Sequence, residues 1–289
     1  DTIDCIYYLA FCLHKQGKHL TAETLIRQAL ELRQLVLGLE VPDTIDCIYV
    51  LGLCLNLQAN YSAAEPLIRQ ALELRGRVSG PEAPHTIDCI YLLAHCLTGQ
   101  GNYSTAEAMY RQALELRQRV LGPEHPYTIS SISNLAKCLV NQDKYSAAEP
   151  MYLQALELRR HVLGPEAPDT IDCIYYLAFC LHKQGKHLTA ETLIRQALEL
   201  RQLVLGLEVP DTIDCIYVLG LCLNLQANYS AAEPLIRQAL ELRGRVSGPE
   251  APHTIDCIYL LAHCLTGQGN YSTAEAMYRQ ALELRQRVL

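Results

Sequence analysis

The chain has no tryptophan, which leaves its large amphipathic rings to 17 tyrosines, and it has no surplus of positive charge. Its 24 lysines and arginines stand against 31 aspartates and glutamates, for a formal net charge of -7. Gripping a phosphate backbone takes clustered cations, so nucleic acid is not an expected partner. Long hydrophobic runs are missing too. The longest apolar stretches, such as Cys5 to Leu13 and Tyr49 to Leu55, fall well short of the roughly 18 residues that suggest a membrane span. No basic-then-apolar leader precedes Asp1, so no secretory signal is read. Catalytic constellations are equally scarce. The ten histidines show neither H-E-x-x-H spacing nor a pairing with cysteine at metal distance. No glycine-rich phosphate loop follows a strand, and no polar cluster breaks the repeat as an active site would. An enzyme is therefore not expected, nor are a cofactor or a catalytic metal.

What the sequence does have is repetition, which decides the fold before any domain count. Laid out every 42 residues, it gives one array over 1-289 with units 1-42, 43-84, 85-126, 127-168, 169-210, 211-252 and 253-289. Residues 1 to 121 are also identical to residues 169 to 289, a shift of four units. Within a unit, Ile3, Ile6, Leu9, Ala10 and Leu13 recur at steps of three and four, one face of a first helix, A. After a polar break at Lys15 to Lys18, Ala22, Ile26, Ala29, Leu32 and Val36 repeat that spacing on a second helix, B. Gly38 is placed to cap helix B, and Pro42 lies beyond it. Asp43 or Thr44 is expected to cap the next helix A. Ser62 should cap helix B, with Glu65 completing a capping box. Each unit is an antiparallel helix pair, and the fold class is all-α, built of tandem helix-turn-helix repeats.

The small residues Ala10, Ala22 and Ala29, the leucine before Ala10 and the large residue at Ile26 or Tyr110 resemble the tetratricopeptide pattern across the whole chain. The 42-residue period and the linker Leu-Gly-Pro-Glu-x-Pro, at Leu121 to Pro126 and Leu163 to Pro168, look like kinesin light chain and its relatives. The resemblance implies a right-handed superhelical solenoid with helix A lining a concave face that holds peptides or partner proteins. Such arrays also sit behind NTPase domains in sensor proteins. One departure stands out. The asparagine that kinesin-light-chain repeats carry before the Leu-Ala pair is kept at Asn134 alone, with Tyr8, Val50, Leu92, Tyr176, Val218 and Leu260 elsewhere. This weakens the likeness to a kinesin-type groove for acidic peptides.

A second stripe on helix A carries Asp4, Tyr7, Phe11 and His14, offset from the Ile/Leu face. By analogy with the family it faces the concavity. Tyrosine offers rigid contact area with a polar tip. It can equally pack between adjacent A helices while the aspartate serves the helix N-terminus. The candidate partner-binding residues are Asp46, Tyr49, Leu53, Asp88, Tyr91, His95, Asn134, Lys137, Tyr175, Phe179 and Tyr217. Among them Leu53, His95 and Lys137 vary from repeat to repeat on an otherwise copied scaffold, which suits specificity and drift equally.

Other features carry plainer readings. Glu23 before Arg27, Glu65 before Arg69 and Glu107 before Arg111 make helical pairs on a solvated face. The 13 cysteines fall at two repeat positions seven residues apart, roughly 10 Å along a helix, too far to share a zinc or form a disulfide. They are expected as reduced, buried, small hydrophobes in a cytoplasmic protein. Asn60-Tyr61-Ser62 and its copies match a glycosylation acceptor but are better placed for capping.

The function expected is a protein-protein interaction scaffold that binds a peptide or partner protein on the concave helix A face, with no membrane partner. The alternatives are a structural or engineered self-stacking array without a native ligand, or the sensing arm of a larger signalling NTPase. Apolar residues at both ends of the array also suggest head-to-tail self-association.

Overall fold

The computed structural model describes residues 2–288. Among them the regular structure is fourteen α-helices and no strand, two per 42-residue unit as the periodicity requires. The chain divides into two compact units, Asp1–Asp143 and Lys144–Leu289. In the first, the A helices are α1 (Thr2–Lys15), α3 (Pro42–Leu57), α5 (Pro84–Gly99) and α7 (Pro126–Val140). Its B helices are α2 (His19–Leu37), α4 (Tyr61–Ser79) and α6 (Tyr103–Leu121). The second unit opens on a B helix, α8 (Tyr145–Val162), followed by α9 (Pro168–Lys183), α10 (His187–Val204), α11 (Pro210–Leu225), α12 (Tyr229–Ser247), α13 (Pro252–Gly267) and α14 (Tyr271–Val288).

Within each unit every helix packs on the next in sequence, and α1 also touches α3, α3 touches α5, α9 touches α11 and α11 touches α13. The apolar spacing explains the layering. Ile45, Ile48, Leu51 and Leu55 of α3 are buried between α2 and α4, while Ala64 and Ala71 of α4 are completely enclosed. Small residues on the B helices let the backbones approach closely, as tight packing demands. Gly52 of α3 does the same from the A side: a Cβ there would lie 2.8 Å from Ile68 Cγ1, so Ile68 would have to shift to admit a methyl group. In the second unit Ile213, Ile216, Ala239, Leu242 and Cys257 form the equivalent cluster, flanked by Leu198, Tyr217, Leu235 and Leu240.

The helix ends differ from the sequence expectation at two places. Gly38 does end α2, at φ 88°, with its N–H donating to Gln34 O. Helix A, however, begins at Pro42 with Val41 as N-cap, and neither Asp43 nor Thr44 caps it. Proline presets the helical φ and lacks the N–H a cap would satisfy, so it takes the first position itself. The threonine one turn in turns back instead: Thr86 Oγ1 donates to Gly80 O at 2.9 Å and Thr128 Oγ1 to Gly122 O at 2.8 Å. Helix B starts at Tyr61 with Asn60 as N-cap and no side-chain cap bond, so the capping box is not formed. Glu65 accepts from Arg69 and Gln100 instead, at 2.8 and 2.9 Å.

All 13 cysteines are free thiols, and 11 of them are buried. Cys5 and Cys12 on α1 are exposed, against the expectation of burial.

Candidate functional site

Six of the seven A helices share a start, Thr-Ile-Asp-Cys-Ile-Tyr, that sets an aspartate and a tyrosine three residues apart on one face; α7 reads Thr-Ile-Ser-Ser-Ile-Ser instead. Across that face comes an arginine from near the end of the B helix. In the first unit Arg75 of α4 donates through Nη2 to Asp46 Oδ1 at 2.6 Å, and its guanidinium lies 4.5 Å over the Tyr49 ring. Its Nη1 reaches forward to His85 O at 2.8 Å and to Cys89 Sγ at 3.4 Å. One arginine thus joins its own A helix to the first turn of the next. Arg33 repeats the arrangement with Asp4, Tyr7, Asp43 O and Cys47. Arg117 repeats it with Asp88, Tyr91, Tyr127 O and Ser131 Oγ. In the second unit Arg201 and Arg243 do the same, with Asp172 and Asp214 as carboxylates and Tyr175 and Tyr217 as rings.

A buried guanidinium is stable only when its donors are matched. Arg75 is nearly enclosed, whereas Asp46 keeps 43% of its side chain exposed, so the pair forms at the wall of the core with the carboxylate outward. Charge and ring contact add to each other, since a desolvated cation over a tyrosine face gains from both. The sulfur is the passive partner. Burial pushes the Cys89 thiol up to about 11, although Arg75 pulls the other way, so Cys89 accepts as a neutral thiol. Burial likewise pushes the Tyr217 hydroxyl up to about 12, with Asp256 adding to the rise. Arg159 of α8 keeps the forward half of the pattern, donating to Asp169 O and Cys173 Sγ. The matching positions for its aspartate and tyrosine read Ser130 and Ser133.

The stripe foreseen as partner-binding is therefore two sets of residues. Asp46, Tyr49, Asp88 and Tyr91 belong to the arginine ladder of the first unit, and Tyr175 and Tyr217 to that of the second. Asn134 joins this framework: its Nδ2 donates to Tyr91 Oη at 2.6 Å and to Ser130 O at 2.9 Å. The remaining candidates stand beside it. Leu53 is half-buried on α3, and His95 on α5 meets Asn56 Nδ2 through Nδ1 at 2.9 Å. Burial lowers the pKa of His95, and Lys137 lowers it further, so the imidazole is neutral near pH 7. Lys137 itself is exposed on α7. Phe179 lies on α9 with Lys183 Nζ 5.3 Å over its ring, beside Tyr175 and Tyr176, whose rings meet edge to face at 5.3 Å.

The sequence did carry a signal for the ladder. Arginine recurs at 33, 75, 117, 159, 201, 243 and 285, directly after a core leucine and at the same register in every unit, which is not where a solvated charge belongs. Among the described residues no group of three histidine, cysteine, aspartate or glutamate side chains is placed to hold a metal ion. Among the same residues no helix is long and apolar enough to cross a membrane.

The tetratricopeptide repeat model matches residues 2–77, 86–161, 170–244 and 212–287. Among solved structures, the chain is similar to the nearly identical TPR-like repeats of a kinesin-light-chain-like protein of Podosopora anserina, with TM-score 0.60 and 19% identity over 72% of this chain and 98% of that one. It is similar to BtubC from P. vanneervenii, with TM-score 0.66 and 19% identity over 80% of this chain and 92% of that one. It also resembles the apo quorum sensor NprR of B. thuringiensis, with TM-score 0.70 and 18% identity over 98% of this chain and 76% of that one. A comparison with curated proteins gave no match.

Proposed function

This chain belongs to the tetratricopeptide repeat family, and from that premise we propose that it is a binding scaffold whose helix A face holds an extended peptide or a partner segment. The observation that carries the proposal is the division of labour on that face. Asp, Tyr and Arg recur as a fixed framework, while the positions of Leu53, His95, Lys137 and Phe179 change from repeat to repeat beside it. A rigid platform with variable, half-exposed side chains is what selective recognition needs, because anchors lose little entropy on binding. The side chains also suggest the ligand. In the first unit Lys137 favours an acidic residue; in the second, Tyr175, Tyr176 and Phe179 with Lys183 favour an apolar or aromatic residue near a carboxylate. The array would act by binding, with no bond made or broken, on a fold it shares with a quorum sensor.

The test is a random peptide library displayed on phage and panned against the full chain. Selected peptides are then titrated by fluorescence polarisation against Leu53→Ser, His95→Gln and Lys137→Glu, all on A helices of the first unit. Losses of about fivefold or more per variant, with unchanged thermal melting, are expected of contact residues. Equal affinity for all four proteins would reject the helix A face. The identity of residues 1 to 121 with 169 to 289 favours a second reading, in which the array is structural and has no ligand. A library that yields no binder from repeated panning would select it.

A further inference from the structure

The outer side of the second unit breaks the repeat where nothing on the helix A face requires it. In the other copies, the residue four after the B-helix glutamate is an arginine that pairs with it: Arg27 with Glu23, Arg69 with Glu65, Arg111 with Glu107, Arg195 with Glu191, Arg237 with Glu233 and Arg279 with Glu275. On α8 that position is Leu153, and it is 49% exposed. Facing it across the groove, α10 carries Leu188, 73% exposed, where Ser62, Ser104, Ser146, Ser230 and Ser272 stand in five other repeats; the first repeat shares the leucine at Leu20, but there Arg27 keeps its pair with Glu23. The carboxylate that Leu153 no longer serves is not left open. Glu149 accepts from Lys186 Nζ at 2.8 Å and from Gln184 Nε2 at 2.8 Å.

These changes open an apolar groove of about 570 Å³ between α8 and α10. Leu177 and Leu181 of α9 form its floor, and Leu156 and Leu193 complete the walls. A third departure closes one end. Arg160 lines the groove where glutamine stands at 34, 118, 202 and 286, and it makes no ion pair among the described residues. Glu149, Leu153, Leu156 and Arg160 follow one another at steps of four, three and four, one stripe along α8. The seven residues from Leu153 to Arg160 span about 10 Å of helix.

From this conjunction we infer that the groove between α8 and α10 docks an acidic amphipathic helix of a partner protein. Its leucine or phenylalanine side chains fill the trough over Leu153 and Leu188, and a carboxylate two turns along meets Arg160. Exposed apolar side chains rimmed by polar groups mark interaction surfaces, and a helix in a groove is read through anchors at i, i+3 or i+4, and i+7. Charge complementarity selects the partner: Lys186 already neutralises Glu149, so the net charge presented by the groove is that of Arg160. The walls of the groove come from B helices and its floor from Leu177 and Leu181 of α9, and it uses none of the residues proposed for recognition on the helix A face.

The test uses the full chain and substitutions that restore what other repeats carry, so the fold is not at risk. The probe is a short fluorescein-labelled helical peptide with leucine along one face and glutamate elsewhere, compared with a twin carrying lysine for glutamate. The glutamate peptide should bind the native chain and the lysine twin at least about tenfold more weakly. The double variant Leu153→Arg, Leu188→Ser should lose about tenfold or more in affinity for the glutamate peptide, with an unchanged melting curve. Arg160→Gln should lose about threefold to tenfold and flatten the salt dependence. Native binding by the double variant, or equal affinity for the two peptides, would overturn the inference. So would sedimentation showing dimers of the native chain that Leu153→Arg abolishes, since the occupant would then be a second copy.

Discussion

Residues 2–15 and 170–183 have the same sequence, and both are helical, yet they are packed differently. In α1 the buried side chains are Ala10 and His14; in α9 they are Thr170, Ile171, Cys173, Ile174, Leu177, Ala178, Cys180, Leu181 and His182. The difference is one neighbour. Helix α9 packs against α8, α10 and α11, whereas α1 packs against α2 and α3. Helix formation is set by local sequence, but a single repeat cannot bury its own apolar face, and the core appears only when another repeat covers it. The pair of helices is an internal control, since any contrast between matched residues must come from packing.

The sharpest contrast is thiol access. Cys5 and Cys12 are exposed while their copies Cys173 and Cys180 are buried, and burial pushes Cys180 up to about 12. Iodoacetamide labelling followed by mass spectrometry should modify Cys5 and Cys12 at least about a hundredfold faster, because the buried thiols react only after local opening. Comparable rates would show that α9 is not covered as described. Core deletion comes next. Ile174 is fully buried and Ile6 partly exposed, so Ile174→Ala should cost about 2–4 kcal/mol and Ile6→Ala under about 1 kcal/mol in urea unfolding.

A smaller effect separates the two histidines. Burial lowers the pKa of both His14 and His182, and neighbouring His19 and His187 add to the fall; at His182 it reaches about 4. NMR titration of the ring protons should place His182 clearly below His14. For His182 the folded state binds its proton less readily than the unfolded chain, whose imidazole titrates near 6.5. Its stabilising contribution is therefore complete above about pH 6.5 and lost as pH falls toward 4. His182→Phe should flatten the decline in melting temperature over that window.

Much of this was legible in the sequence because a repeat writes each rule several times. The 42-residue period, the A and B helices, the buried Ala10, Ala22 and Ala29, and the glycine after α2 all follow from spacing and backbone preference. The caps were misread because Asp43 and Ser62 are good cap residues locally, while Pro42 and Tyr61 occupy the first helical positions. The site was half legible. Spacing put Asp46 and Tyr49 on one stripe, but a charge such as Arg75 reads as solvated until the next repeat encloses it. Its partners, Asp46 and Cys89, lie 29 residues before it and 14 after it, beyond the reach of any single-helix pattern.

The central claim is that the framework on the helix A face holds the fold while its variable residues recognise the ligand. One experiment separates the two, using a library-selected peptide and two variants of the first unit. Lys137→Glu should weaken binding about fivefold or more and leave the urea midpoint unchanged. Asp88→Asn removes the carboxylate that Arg117 holds at 2.7 Å; it should lower the midpoint and leave the affinity of the folded protein within about twofold. If instead Asp88→Asn abolishes binding by a fully folded protein while Lys137→Glu binds like the native chain, the framework itself is the binding surface and the account is contradicted.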